Sequence, residues 1–129
     1  MVRTPVIAIV DDDQSVRMAI DNLVRSLGYE SNQFSCAEHF LAGANLEHTS
    51  CLITDVQMPG MSGLELQSEL INIGLDMPII FITAYPEESM RKRAEASGAE
   101  CFLSKPFEGQ TMIDCIERVI QSPKSFKLH

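Results

Sequence analysis

The sequence predicts an α/β domain, a doubly wound five-stranded parallel sheet with five helices. Two observations carry this expectation. Short apolar runs alternate with segments of helical periodicity: Val6-Ile7-Ala8-Ile9-Val10, Cys51-Leu52-Ile53-Thr54, Ile79-Ile80-Phe81-Ile82 and Cys101-Phe102-Leu103-Ser104. Runs apolar on both faces suit strands covered from above and below, as in parallel sheets flanked by helices. Each run also leads into a polar residue with chemistry to offer, namely Asp11-Asp12-Asp13, Asp55, Thr83 and Lys105. Ligands of such sheets bind just beyond the strand carboxyl ends, so these residues are expected to converge on one site.

The elements follow in order. After strand 6–10, a helix is expected from Gln14 to Leu27, with Val16, Ile20, Leu23, Val24 and Leu27 on one face and Gly28 at its C-terminal cap. Asp13 is its expected N-cap. A second, weakly apolar strand spans Glu30–Phe34. Ser35-Cys36-Ala37-Glu38 reads as a capping box opening a short helix through Phe40 and Leu41. Strand three is Cys51–Asp55, and Met58-Pro59-Gly60-Met61 is a loop. Ser62-Gly63-Leu64-Glu65 is a second capping box, starting a helix that ends near Gly74. Pro78 introduces strand four, which ends at Thr83-Ala84. The Glu87–Ser97 stretch reads as a helix with only Met90, Ala94 and a few small residues to bury, so it is the element expected to shift most readily. Strand five is Cys101–Ser104, and the last helix, Glu108–Gln121, carries Met112, Ile113, Ile116, Val119 and Ile120 on one side. Residues 1–121 form the expected domain and 122–129 a polar C-terminal tail.

Composition narrows the function. The 129 residues carry a formal net charge of −8, without the basic footprint that nucleic-acid backbones demand, so no direct nucleic-acid contact is expected. No apolar stretch approaches the roughly 20 residues of a membrane span, and no signal peptide precedes the first strand. Cys36, Cys51, Cys101 and Cys115 lack zinc or Cys-x-x-Cys spacing and read as reduced structural thiols of a cytoplasmic protein. His39, His48 and His129 lie outside any ligand spacing, and no Gly-rich phosphate loop occurs.

The strand-end inventory suits a divalent cation together with a phosphoryl group. Magnesium takes oxygen ligands in octahedral geometry and keeps several waters. Asp12 and Asp55 are the expected direct ligands, Asp11 acts through water, and the Gln57 main-chain carbonyl completes the half-shell. Asp55 is also a candidate nucleophile, since a carboxylate can accept a phosphoryl group as an acyl phosphate. Such transfer is promoted chiefly by positioning and by neutralising the equatorial oxygens. Magnesium, the Lys105 ammonium and the Thr83 hydroxyl would share that task.

The segments Ile9-Val10-Asp11-Asp12-Asp13, Thr54-Asp55-Val56-Gln57-Met58-Pro59-Gly60-Met61-Ser62-Gly63, Ile82-Thr83-Ala84 and Ser104-Lys105-Pro106-Phe107 resemble the receiver domain of two-component response regulators, the CheY-like superfamily with its flavodoxin-like fold. The resemblance covers about residues 5–121 and is nearest to receivers of nitrogen-fixation and LuxR-type regulators. It implies a phosphoacceptor role for Asp55 and a magnesium site built by Asp11 and Asp12. It further implies Thr83 and Phe102 as a switch pair, Lys105 as the phosphate-binding lysine, and a cis bond before Pro106. It implies a sensor histidine kinase as partner, permits a homodimer on phosphorylation, and gives no enzyme beyond self-phosphorylation and dephosphorylation. Gln57 and Tyr85, each two residues beyond a site residue, are expected to tune phosphate lifetime. The rival reading, a magnesium-dependent phosphatase with an aspartyl nucleophile, usually needs a second Asp two residues after the first. Gln57 stands there.

Overall fold

In the computed structural model, residues 4–121 are described, and the tail expected at 122–129 lies outside them. The order of elements is β1 (Val6–Val10), α1 (Gln14–Ser26), β2 (Glu30–Phe34), α2 (Ala37–Gly43), a 3-10 turn (Leu46–His48), β3 (Cys51–Asp55), α3 (Gly63–Asn72), β4 (Ile79–Thr83), α4 (Glu88–Ala96), β5 (Cys101–Ser104) and α5 (Gly109–Gln121). All strand pairs are parallel, and the spatial order is β2-β1-β3-β4-β5. The expected five-stranded, five-helix architecture is what forms.

Alternation along each strand divides the interior into two cores. Ile7, Ile9, Cys51, Ile53, Ile80, Ile82 and Cys101 face α1 and α5, where Ile20, Val24, Met112, Ile116 and Val119 meet them. Ala8, Val10, Leu52, Ile79 and Phe81 face the other side, against Phe40 of α2, Leu66 and Leu70 of α3 and Ala94 of α4. Every residue of β3 and β4 is buried, which explains their continuous apolar character. At β2 the buried face is slight, because this strand lies at the sheet edge.

Capping follows sequence chemistry at two of three sites. The Asp13 side chain accepts from Ser15 N, and Ser62 forms the full reciprocal box with Glu65. The box expected at Ser35 does not form. Cys36 is the N-cap of α2 without a side-chain bond, and Ser35 Oγ lies 3.5 Å from His39 Nδ1. Glu38, its expected partner, instead accepts from Met61 N across 3.1 Å. A tertiary bond to the loop after β3 therefore replaced the local one. The 3-10 turn at Leu46–His48 was not expected either; its three residues are too few to show a period.

α4 is the least anchored helix. Only Ala94 is fully buried, Met90 is half-buried, and Gln67 of α3 donates from Nε2 to Ala94 O at 3.2 Å.

Candidate functional site

Parallel pairing brings four strand ends to one edge. Val10 is in register with Thr54, Asp55 with Ile82, and Thr83 with Ser104. Asp11, Asp55, Thr83 and Lys105 therefore end or follow adjacent strands β1, β3, β4 and β5. The chain crosses to opposite sides of the sheet around β1 and β3, and such a switch point opens a crevice.

Asp11 is fully buried, and its Oδ1 accepts from Asp13 N at 2.8 Å. Its Oδ2 lies 2.9 Å from Lys105 Nζ, a close ion contact rather than an aligned hydrogen bond. Asp55 is also buried, and its Oδ2 accepts from the same ammonium at 3.0 Å while Oδ1 accepts from Gln57 N at 3.3 Å. One ammonium thus bridges two carboxylates. Asp12 is exposed beside them, and oxygens of Asp11, Asp12 and Asp55 all lie within 4.8 Å of one another.

The electrostatics follow from this crowding. Burial pushes the Asp11 carboxyl above its ordinary value, and Asp55 adds to the rise, against the opposing pull of Lys105 and the Asp13 amide. Burial alone would depress the Lys105 ammonium, but the Asp11 and Asp55 carboxylates held against it outweigh that and raise it. Three acidic oxygen donors with one ammonium leave net negative charge in the crevice. Hard oxygen donors of this kind fit a magnesium-sized cation, which takes one or two carboxylates and retains waters. Arg17 Nη1 donates to Asp11 O at 2.6 Å and fixes the chain after β1.

Local backbone geometry holds Asp55 in place. Thr54 Oγ1 donates to Asp55 O at 3.1 Å, and Gly63 N donates to Val56 O at 2.9 Å. A Cβ on Gly63 would collide with Asp55 O, so only glycine allows α3 to start this close to the end of β3.

Thr83 is buried, and its hydroxyl donates to Gln57 Oε1 at 2.9 Å and accepts from Tyr85 N at 3.1 Å. Phe102 is half-buried against the core that includes Phe81, with ring centroids 6.2 Å apart and planes tilted by 46°. By strand alternation Thr83 and Phe102 share the α3/α4 side of the sheet. Tyr85 is 71% exposed, and the Lys105–Pro106 bond is cis, as the resemblance implies.

The structure therefore brings together Asp11, Asp12, Asp55 and Lys105, with Thr83 linked to them through Gln57. Sequence reading missed the Gln57 side-chain bond to Thr83, the Arg17 brace on Asp11 and the Glu38 brace on Met61. The partners of these bonds lie 26, 6 and 23 positions apart, and no local pattern marks them.

Comparisons with known proteins agree with this geometry. The family model "Response regulator receiver domain" matches residues 7–117. Nodulation protein W of Bradyrhizobium diazoefficiens is 42% identical over 86% of this chain and 49% of its own length. Response regulator protein TodT of Pseudomonas putida is 40% identical over 92% of this chain and 52% of its own. The chain thus spans about half the length of the curated relatives it matches. Among solved structures, response regulator StyR superposes with a TM-score of 0.88 at 45% identity, covering 97% of this chain and 63% of that one. FixJ-N gives 0.83 at 33%, covering 95% and 98%. With motif, fold and strand-end geometry in agreement, the chain belongs to the receiver-domain family of the response regulators of two-component systems.

Proposed function

We propose that Asp55 accepts a phosphoryl group from the phosphohistidine of a sensor kinase and that the resulting charge switches a surface of the domain. The observation that carries this reading is the Lys105 ammonium, held 3.0 Å from Asp55 Oδ2 beside the Asp11–Asp12 pair. An Asp55 oxygen forms the new P–O bond as the P–N bond to the donor imidazole breaks, and the departing nitrogen takes up a proton. Lys105 then neutralises one phosphoryl oxygen and the Thr83 hydroxyl donates to another. Asp12, Asp55 and the Gln57 carbonyl would hold Mg²⁺, with Asp11 acting through water; a bound ion would supply further charge neutralisation for the transferred group.

Movement of Thr83 toward the phosphoryl group opens space on its side of the sheet, and Phe102 turns inward to fill it. The face made by α4, β5 and α5 changes shape as a result. A bias of a few kcal/mol is enough for such a two-state element. That face is where we place a phosphorylation-dependent homodimer or a partner contact; equal sedimentation of both forms at high concentration would remove the dimer. We place the protein in the cytoplasm, where it acts as an enzyme only on its own phosphoryl group.

The phosphatase alternative loses support at Gln57, whose amide has no proton to give or take at neutral pH. The test of the proposed function is incubation with acetyl phosphate and Mg²⁺ followed by intact mass spectrometry. One hydroxylamine-labile phosphoryl mass is expected on the parent and none on Asp55→Asn. The same label on that variant would refute the assignment.

A further inference from the structure

The Gln57 amide engages two elements at once. Its Oε1 accepts the Thr83 hydroxyl proton at 2.9 Å, and its Nε2 lies 4.0 Å from Met90 Sδ, near the start of α4. A hydroxyl has a single proton. With Tyr85 N already donating to the Thr83 oxygen, that proton is the hydroxyl's remaining means of binding an anion, and Gln57 holds it. Gln57 itself is exposed, so its side chain can swing away without opening a cavity. α4 has little else to hold it: one fully buried residue, Ala94, the half-buried Met90 against the same core, and the Gln67 bond to the Ala94 carbonyl.

We infer that Gln57 is a positioning residue that latches the unmodified state, engaging the Thr83 hydroxyl with one end of its amide and tethering α4 through Met90 with the other. The inference rests on the phosphoacceptor reading of Asp55. A phosphoryl oxygen on Asp55 competes with Gln57 for the Thr83 proton. When it wins, the amide loses its best partner and its hold on Met90 loosens in the same event. Gln57 thus carries the signal from Thr83 to α4 directly, alongside the route through Phe102. The energetic stake is one neutral hydrogen bond, small enough for a phosphoryl charge to overcome and large enough to bias the resting state.

The test is amide hydrogen exchange along Glu88–Ala96 in the unphosphorylated chain, comparing parent, Gln57→Ala, Thr83→Val and the double variant. Each single change removes the same bond, so each is expected to speed α4 exchange about two- to tenfold. The double variant is expected to exchange no faster than the faster single, because the bond can be lost only once. Rates within twofold of the parent, or effects that multiply in the double variant, would overturn the latch. A second readout is the rate of labelling by acetyl phosphate, expected to rise about threefold in Gln57→Ala because the Thr83 proton is already free. Labelling no faster than the parent overturns the coupling even if α4 loosens. If the parent takes up no label at all, the phosphoacceptor reading fails, while the exchange experiment still decides the latch.

Discussion

Replacing Lys105 by Met tests the electrostatic core of the site without altering either carboxylate. The Lys105 side chain is 16% exposed, and it stands 2.9 Å from an Asp11 side chain that is 0% exposed and 3.0 Å from an Asp55 side chain that is 8% exposed. A unit charge pair at 3 Å in an effective dielectric of 20 is worth roughly 5.5 kcal/mol before desolvation is subtracted. Breaking a buried pair by removing one partner costs about 3–5 kcal/mol. Lys105 keeps some water, and Asp11 can escape its burial by taking a proton, so the loss at neutral pH falls to about 2–3 kcal/mol. For a domain of this size that lowers the melting temperature by about 10 °C.

The pH dependence supplies the sign. The Asp11 carboxyl is raised in the folded chain by burial, so its contribution to stability is full below the ordinary carboxylate value and is lost as pH rises through the folded one. Without Lys105 the rise is larger, so acidification from pH 7 toward 5 is expected to narrow the gap between variant and parent. Added Mg²⁺ is expected to narrow it as well, since a bound cation replaces the missing charge. Thermal unfolding followed by circular dichroism, at both pH values with and without Mg²⁺, measures all three effects. A variant that melts within 2 °C of the parent at pH 7, or a gap that widens on acidification, would refute the reasoning.

Three further outcomes are expected. Asp12→Ala should weaken Mg²⁺ binding from the millimolar range, where a constant corresponds to about 4 kcal/mol, by at least tenfold in a calorimetric or fluorescence titration; an unchanged titration would contradict its place as a ligand. Gly63→Ala should destabilise the fold by about 3 kcal/mol or more in urea unfolding, because the new methyl meets the Asp55 carbonyl and one of the two segments must move. Tyr85→Ala should release phosphate about tenfold faster, about 1.4 kcal/mol of barrier, if the ring covers the water's approach to phosphorus; equal rates would leave it a surface residue, in keeping with its high exposure.

Most of the architecture was legible because period and burial agree. β3 and β4 are buried at every position and read as unbroken apolar runs, while α1 and α5 carry a clear apolar stripe. The strand-end residues were legible for a topological reason, since parallel strands must place their carboxyl ends on one edge. What stayed hidden depends on three-dimensional partners. Ser35 and Glu38 have capping-box spacing, yet Glu38 gains more from the bare Met61 amide across the loop. The sequence marks Gln57 for its carbonyl and for phosphate lifetime, but not for the bond its side chain makes once β4 brings Thr83 to within 2.9 Å of its amide. Local patterns report what a residue can do next to its chain neighbours, and these two found better partners elsewhere.

The sparse anchoring of α4 has a consequence for how receivers of this kind could acquire new partners. Three of its charged residues form a ladder, with Arg91 bonded to Glu88 and Glu95, and none of the three is buried. Because only Ala94 is fully buried and Met90 half-buried against the same core, the other positions of the helix can change without disturbing the strand ends where the carboxylates sit. A gene copy could therefore rewrite the charge pattern of this helix while inheriting the strand-end carboxylates and ammonium intact. Divergence of address and retention of signal become separable problems, solved on opposite sides of a single small alanine.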